Sequence, residues 1–235
     1  MYNGKTMVCI IPARGGSKGL IRKNIKIFAG EPLIAHTIKA AMNSKFIDNV
    51  YVSTEDEEIA SISKKYYAEV IKRPKELARD ETKTVEVVID ALKQINFDIN
   101  KTVIILLQPT SPLRTTRDID NSIKLFFENK CESVISVCKI NHSPLWAFKL
   151  KNNNLEPYFD IDFLEQRRQE HPILYSPNGA IYISTPEILH NYLSFYTNSI
   201  IPYIMPFERS IDIDTEDDFD LAEIIFKYRL NKIKT

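Results

Sequence analysis

The chain has 235 residues, 44% of them hydrophobic and 26% charged, enough for a buried core in one large α/β domain or two small ones. Lys plus Arg equals Asp plus Glu at 31 each, for a formal net charge of +0. That balance excludes the basic excess of a nonspecific nucleic-acid binder, so any hold on phosphate must come from locally clustered charge.

The first apolar run, Met7-Val-Cys-Ile-Ile-Pro12, is short and continuous, which predicts a strand buried on both faces of a parallel sheet. Pro32 to Ala41 reads as a helix, with Leu33, Ile34, Ile38 and Ala41 on one side. Asn49 to Thr54 reads as the next strand. The acids Glu55-Asp-Glu-Glu58 follow where a helix N-terminus favours negative charge. Thr84 is placed to cap a helix running to Ile95. Thr102 to Leu107 is the clearest central strand and stops at Pro109-Thr-Ser-Pro112, a turn that can continue neither ladder nor helix. A helix over 116–128 and a strand over 133–138 complete an alternation that predicts a mostly parallel sheet covered by helices.

The segment 139–176 breaks this rhythm. Trp146-Ala-Phe-Lys-Leu150 and the turn Asn152-Asn-Asn154 predict a small antiparallel excursion. The main pattern resumes at Ala180 to Ile183 and Ile200 to Met205, and a closing helix runs over 216–230. One domain over 1–235 with an insertion at about 139–176 is the economical organisation. Cys9, Cys131 and Cys138 lack C-x-x-C spacing and read as buried thiols in a reducing compartment. The four histidines form no metal-ligand pair at helical or finger spacing. Pro12 and Arg14 end the first apolar run too early for a signal peptide, and no run approaches the roughly 18 apolar residues of a membrane span. A cytoplasmic protein without membrane attachment is expected.

The most informative stretch is Ile11-Pro-Ala-Arg-Gly-Gly-Ser-Lys-Gly-Leu20, followed by Arg22-Lys-Asn24. It lies past the C-terminal end of the first strand, the edge where open α/β sheets bind ligands. Gly15, Gly16 and Gly19 let backbone N–H groups approach an anion, and Arg14, Lys18, Arg22 and Lys23 add four positive charges within ten residues. No Gly-Lys-Ser/Thr occurs, so this is not a Walker A loop. The dinucleotide fingerprint would need glycine where Arg14 stands. Phosphate binding is the favoured reading over a solvated basic turn. Further on, Asp212 and Asp214 flank one apolar residue, so an extended chain points both carboxylates to one side. Two readings stand there: a pair of oxygen ligands for Mg²⁺, or the acidic start of the helix after Thr215.

The glycine-rich segment resembles the signature of the acylneuraminate cytidylyltransferases, the CMP-sialic acid synthetase family, which includes enzymes for legionaminic and pseudaminic acids. Further blocks agree in order: Lys72-Arg-Pro…Leu77-Ala-x-Asp80-x-Thr82, Leu107-Gln-Pro-Thr-Ser-Pro-Leu-Arg114, Gln166-Arg-Arg-Gln169, Pro177-Asn-Gly-Ala-Ile-Tyr182 and Asp212-Ile-Asp-Thr215. The resemblance implies a three-layer, mostly parallel Rossmann-like sheet of the nucleotide-diphospho-sugar transferase type. It also implies a small α+β insertion serving as a dimerisation arm, and a homodimer. The implied reaction is CMP transfer from CTP to the anomeric hydroxyl of a nine-carbon nonulosonic acid, with Mg²⁺ as cofactor and pyrophosphate as product. The catalytic residues it implies are Arg14, Lys18 and Lys23. The implied nucleotide contacts are Arg14, Ser17, Asn24, Arg73, Asp80, Thr82 and Thr84.

Gln108, Arg114, Arg168 and Asn178 are implied on the substrate side, and Asp212 and Asp214 at the metal. Arg168 stands ten residues before Asn178 and could pair with the sugar carboxylate, with Arg167 as its rival. Two departures are visible: Ile21 replaces a common proline, and Ser176 stands where some sialic-acid-specific members carry a second arginine. The second leaves room for legionaminic or another bacterial nonulosonic acid. An enzyme for an eight-carbon ketodeoxy acid, or a nucleotide-binding module without catalysis, are the alternatives.

Overall fold

The structure is a computed structural model that describes residues 1–17 and 19–234. Eleven strands occur among the described residues: β1 (Thr6–Pro12), β2 (Ile27–Phe28), β3 (Glu31–Pro32), β4 (Asn49–Thr54), β5 (Glu69–Lys72), β6 (Thr102–Leu106), β7 (Ser133–Lys139), β8 (Phe148–Lys151), β9 (Asn154–Pro157), β10 (Tyr175–Ser184) and β11 (Ile200–Met205). The α-helices are α1 (Leu33–Met42), α2 (Glu57–Lys65), α3 (Thr84–Gln94), α4 (Thr116–Glu128), α5 (Asp162–Glu165), α6 (Pro186–Tyr192) and α7 (Glu216–Lys234).

Seven strands form the central sheet in the order β11-β7-β10-β6-β1-β4-β5. All neighbours pair in parallel except β10, which runs antiparallel to both β6 and β7. The unbroken apolar run of β1 follows from its place between β4 and β6. Met7, Cys9 and Ile11 enter one core with Ile34 and Ile38 of α1, Ile59 of α2 and Ile119 and Ile123 of α4. Val8 and Ile10 enter the other core with Val88 and Leu92 of α3 and Leu189 of α6. Helices therefore cover both faces, giving the three layers expected. Each such side chain, fully buried, stabilises the fold by roughly 1.5–3 kcal/mol.

A third, smaller cluster sits at the rim of the sheet. Leu20, Phe28, Leu33, Leu113, Ile211, Ile213 and Phe219 pack there, joining the glycine-rich loop to the turn after β6 and to the segment after β11. It anchors three loops that carry candidate functional residues.

Most expected elements fall within a residue or two of their sequence-based bounds. Thr84 is corrected from cap to first helical residue: Lys83 takes the cap position, with no side-chain cap bond. Several short elements were not spelled out from sequence, among them β2, β3 and α5. β5 is a four-residue edge strand with charged ends, and α6 is a seven-residue helix opened by Thr185 and Pro186. The excursion in the middle is a hairpin of β8 and β9, turned at Asn152 and Asn153, both with positive φ. Cys9 is buried and its thiol is pushed up to about 12 by that burial, against the charge of Arg114. Cys131 and Cys138 are only half-buried, contrary to expectation; all three thiols are free. No helix among the described residues is long and apolar enough to cross a membrane.

Candidate active site

The loop leaving β1 is held by its own side chains and by acids from the start of α2. Asn24 Nδ2 donates to the Arg14 carbonyl at 2.9 Å and fixes the two ends of the loop together. Arg22, in a left-handed conformation at φ 57°, reaches Asp56 and Glu58, each at 2.5 Å. Asp56 also caps α2 by accepting from Glu58 N and Ile59 N. The Gly15 N–H donates to Glu55 Oε1 at 2.7 Å. The acidic run expected to favour a helix start thus also anchors the basic loop. Ile21 is 80% exposed, so its replacement of proline touches none of these bonds. Gly19 backs onto the aspartate segment, where a Cβ would lie 2.3 Å from the Asp214 carbonyl.

At the C-terminal edge of the sheet these loops enclose a polar cleft of about 310 Å³. The first loop contributes Arg14, Ser17, Lys23 and Asn24. The segment after β5 contributes Arg73, Asp80, Thr82 and Thr84. Gln108, Asp212 and Asp214 complete the set, so eleven of the residues named from sequence share one cavity. Lys18 lies outside the described residues.

Three of the cations that face this cleft already have partners. Arg14 forms an ion pair with Asp80 at 2.7 Å. Lys23 is buried, and its Nζ donates to the Ile213 carbonyl at 2.5 Å and to Asp214 Oδ1 at 3.0 Å. Arg73 is only 4% exposed, and its guanidinium donates to Ser53 O at 2.6 Å and Ser53 Oγ at 3.3 Å. Burial lowers the Arg73 pKa to about 10, with Glu55 opposing the shift and Arg14 adding to it, so Arg73 stays charged at neutral pH.

Ile211 and Ile213 are buried while Asp212 and Asp214 line the cleft, which puts both carboxylates on one side as the alternation predicted. Partial loss of solvent around the Asp212 carboxyl, which keeps exposed surface on the cleft side, raises its pKa above the ordinary aspartate value; a Thr110 hydrogen bond opposes this and the like charge of Asp214 adds to it. Two crowded carboxylates beside one ammonium suit a hard divalent cation, which completes its shell with water and substrate oxygens. Among the described residues no group of three or more His, Cys, Asp or Glu gathers to hold a metal ion, at this pair or elsewhere, so protein would supply two carboxylates at most and substrate or water the rest.

Three residues expected on the substrate side do not line this cleft. Arg114 is a support behind the site: it is 4% exposed and donates to the carbonyls of Gln108, Ser111 and Ala180 and to Thr37 Oγ1. Its burial lowers its pKa to about 10. Asn178 is corrected from a contact to a support, since it is 5% exposed and its amide is bonded within the protein. Arg168 stands exposed in the segment after α5, outside the linings of both clefts.

Sequence reasoning passed over Arg79 and Thr110 of the same cleft, although both lie inside matched blocks. It also passed over a second cleft of about 610 Å³ that shares Thr84 and Gln108 with the first. Tyr182, Phe195 and Tyr196 give that cleft aromatic walls. Nothing in the local pattern around Phe195 separates a cavity wall from core.

A doubly covered α/β sheet with a cationic glycine loop and a facing carboxylate pair at its C-terminal edge defines a nucleotidyltransferase type of site. The cytidylyltransferase family profile matches residues 8–231, and the chain belongs to that family. It is 36% identical over 229 residues to an N-acylneuraminate cytidylyltransferase of Escherichia coli, covering 97% of this chain and 54% of that protein. It is 38% identical over 222 residues to a CMP-N,N'-diacetyllegionaminic acid synthase of Legionella pneumophila, covering 92% of this chain and 94% of that protein. The chain thus spans about half of the first relative and nearly all of the second. Among solved structures, a CMP:2-keto-3-deoxy-manno-octonic acid synthetase complexed with CTP shares the fold, with a TM-score of 0.73 and 17% identity over 96% of this chain and 100% of that one.

Proposed function

We propose that the chain transfers CMP from CTP to the anomeric hydroxyl of a nine-carbon nonulosonic acid of the N-acylneuraminate or legionaminate type. The hydroxyl oxygen bonds to the α-phosphorus, the bond from that phosphorus to the β-phosphate oxygen breaks, and pyrophosphate leaves as the hydroxyl loses its proton. The observation that carries this reading is the convergence of Arg14, Lys23, Arg73, Asp212 and Asp214 on one cleft at the ligand-binding edge of the sheet. The names of the E. coli and Legionella relatives support the two substrates.

In this reading the triphosphate lies along the glycine-rich loop, and Arg14 and Lys23 exchange their acidic partners for phosphate oxygens as charge moves to the leaving group. Arg73 holds its guanidinium fixed against Ser53 and presents its remaining face to the nucleotide. Thr82 and Thr84 offer short hydroxyls that can read the amino and carbonyl edge of cytosine. The shared residues Gln108 and Thr84 place the aromatic second cleft beside the first, and the acceptor sugar is assigned there. Asp212 and Asp214 would hold Mg²⁺, which when bound supplies charge neutralisation at the phosphates.

A homodimer through the 139–176 arm belongs to the same proposal. Leu150, Leu155, Tyr158 and Ile161 are exposed there, as apolar side chains awaiting a partner would be. Arg168 takes the sugar carboxylate only if a second chain brings it to a cleft, so its role is tied to the dimer. Free thiols and the use of CTP fit a cytoplasmic site of action.

The test is pyrophosphate release from CTP against N-acetylneuraminic, legionaminic, pseudaminic and ketodeoxyoctonic acids, with and without Mg²⁺. Release with a nine-carbon acid, abolished by chelation and restored by Mg²⁺, is expected. Release with the eight-carbon acid alone, or with none, contradicts the proposal.

A further inference from the structure

Between the two clefts the sheet is deliberately irregular. β10 pairs with β7 in two registers, with the shift falling between Pro177 and Tyr182. The extra backbone forms a bulge at the C-terminal edge, and bulges of this kind re-aim neighbouring groups. Gly179 sits in it at φ +73°, a conformation that disfavours other residues. A Cβ at this position would lie 2.6 Å from Gln108 Oε1, 3.0 Å from Ser111 Oγ and 3.1 Å from Asp212 Oδ2. One bare Cα therefore packs against the side chain shared by both clefts and against a carboxylate of the nucleotide cleft.

Asn178 ties the bulge to everything around it. Its Oδ1 accepts from Ser136 Oγ of β7 at 2.6 Å and from the Ala180 N–H at 3.2 Å. Its Nδ2 donates to Ser210 Oγ at 2.9 Å and to Met205 Sδ at 3.4 Å. Its carbonyl accepts from Ser111 Oγ at 3.0 Å, in the turn that follows Gln108. Both ends of the amide are thus occupied by protein, which leaves Asn178 little capacity to bind a substrate. Its partner Ser210 lies two residues before Asp212 and in turn donates to the Pro206 carbonyl.

We propose that the Asn178–Gly179 bulge is a positioning device that fixes Gln108 and Asp212 relative to each other. The glycine sets their close approach and the asparagine amide tethers the 205–212 segment to β7 and β10. Resting on the CMP-transfer reading, this makes the bulge the part that brings acceptor and phosphate into register. Only an amide has both a donor for Ser210 and an acceptor for Ser136 and Ala180 on one short side chain. A Cβ here would displace the Gln108 amide end and crowd Ser111 and Asp212, and at φ +73° it would strain the backbone as well.

The experiment has a kinetic arm and an arm independent of activity. Amide hydrogen exchange over residues 206–214 is measured in the wild-type chain, Asn178→Ala and Gly179→Ala. Loss of either constraint is expected to speed exchange there by about tenfold or more, with α1 and β1 unchanged. In steady-state assays Gly179→Ala is expected to lower kcat by roughly 30–100-fold while the KM for CTP stays within about twofold, the split that misplacement of reacting groups produces. On a Gln108→Ala background the same substitution should cost less than about threefold more, because the shortest of the collisions it introduces, with Gln108 Oε1, is relieved. Unchanged exchange in both variants, or a Gly179→Ala kcat within about twofold of wild type, overturns the proposal. A wild-type chain that releases no pyrophosphate with any acid sinks the functional reading instead, and the exchange arm still decides the tether.

Discussion

The two halves of the central sheet do different work at the same edge. Strands β1, β4, β5 and β6 are parallel throughout, and the loops after β1 and β5 deliver Arg14, Lys23, Arg73 and Arg79. The half formed by β11, β7 and β10 contains the antiparallel strand with its bulge, and the segment after β11 delivers Asp212 and Asp214. The cations arrive from one half, with Asp80 among them paired to Arg14, and Asp212 and Asp214 arrive from the other, so in an overall neutral chain this cleft sets most of its positive charge across from a carboxylate pair. Parallel strands suit the first task, since every one of them ends at the same edge. The mixed half supplies what regular parallel pairing cannot, a bulge that brings β10 backbone against Gln108 and Asp212.

Removing the acidic side should have the largest effect. Asp212→Asn is expected to lower turnover by about 10²–10³-fold, in the range for losing a group that stabilises transition-state charge. A Mg²⁺ titration of pyrophosphate release checks it. The same substitution should raise thermal stability slightly at neutral pH in the absence of metal. The sign follows from the raised Asp212 pKa: the folded chain disfavours the ionised carboxyl, a penalty absent at pH below the unfolded pKa and complete above the folded one. Because the carboxyl opens to solvent, screening keeps the rise small, up to about 2 °C by calorimetry. A fall in Tm would instead make Asp212 a structural residue.

On the cationic side, Lys23→Ala should cut kcat/KM by about tenfold to a hundredfold or more, the value of one charge-assisted hydrogen bond. Near-wild-type turnover would remove Lys23 from the mechanism. Lys23→Arg should restore little of it, because the buried ammonium is held between the Ile213 carbonyl and Asp214, a geometry that a planar guanidinium does not reproduce. The smallest effect belongs to Arg79, which lines the cleft but is exposed. Arg79→Ala should raise the KM for CTP about two- to fivefold at low salt, with the difference fading as ionic strength rises and kcat unchanged. An effect on kcat that resists salt would move Arg79 from steering to direct contact.

The legibility of the chain follows the same division. The parallel half was readable because β1 and β6 are continuous apolar runs that stop at glycine or proline, and because the cations sit in one short block after β1. The role of Glu55 and Asp56 in holding that block was not readable. A carboxylate at a helix start serves the helix whether or not an arginine from another loop also reaches it. Arg114 and Asn178 were legible as important, but a matched block marks a position without saying whether its side chain faces substrate or, as the Arg114 guanidinium does, carbonyl oxygens. The second cleft was least visible, since Tyr182, Phe195 and Tyr196 come from distant segments that only tertiary packing brings together.

The most direct test of the charge-sorted cleft is a crystal structure with CTP and Mg²⁺ bound. Phosphate oxygens are expected within hydrogen-bond distance of Arg14 and Lys23, and Mg²⁺ on carboxylate oxygens of both Asp212 and Asp214. A triphosphate lying away from the 14–24 loop, with Lys23 still paired to Asp214 and no metal on either aspartate, would contradict it.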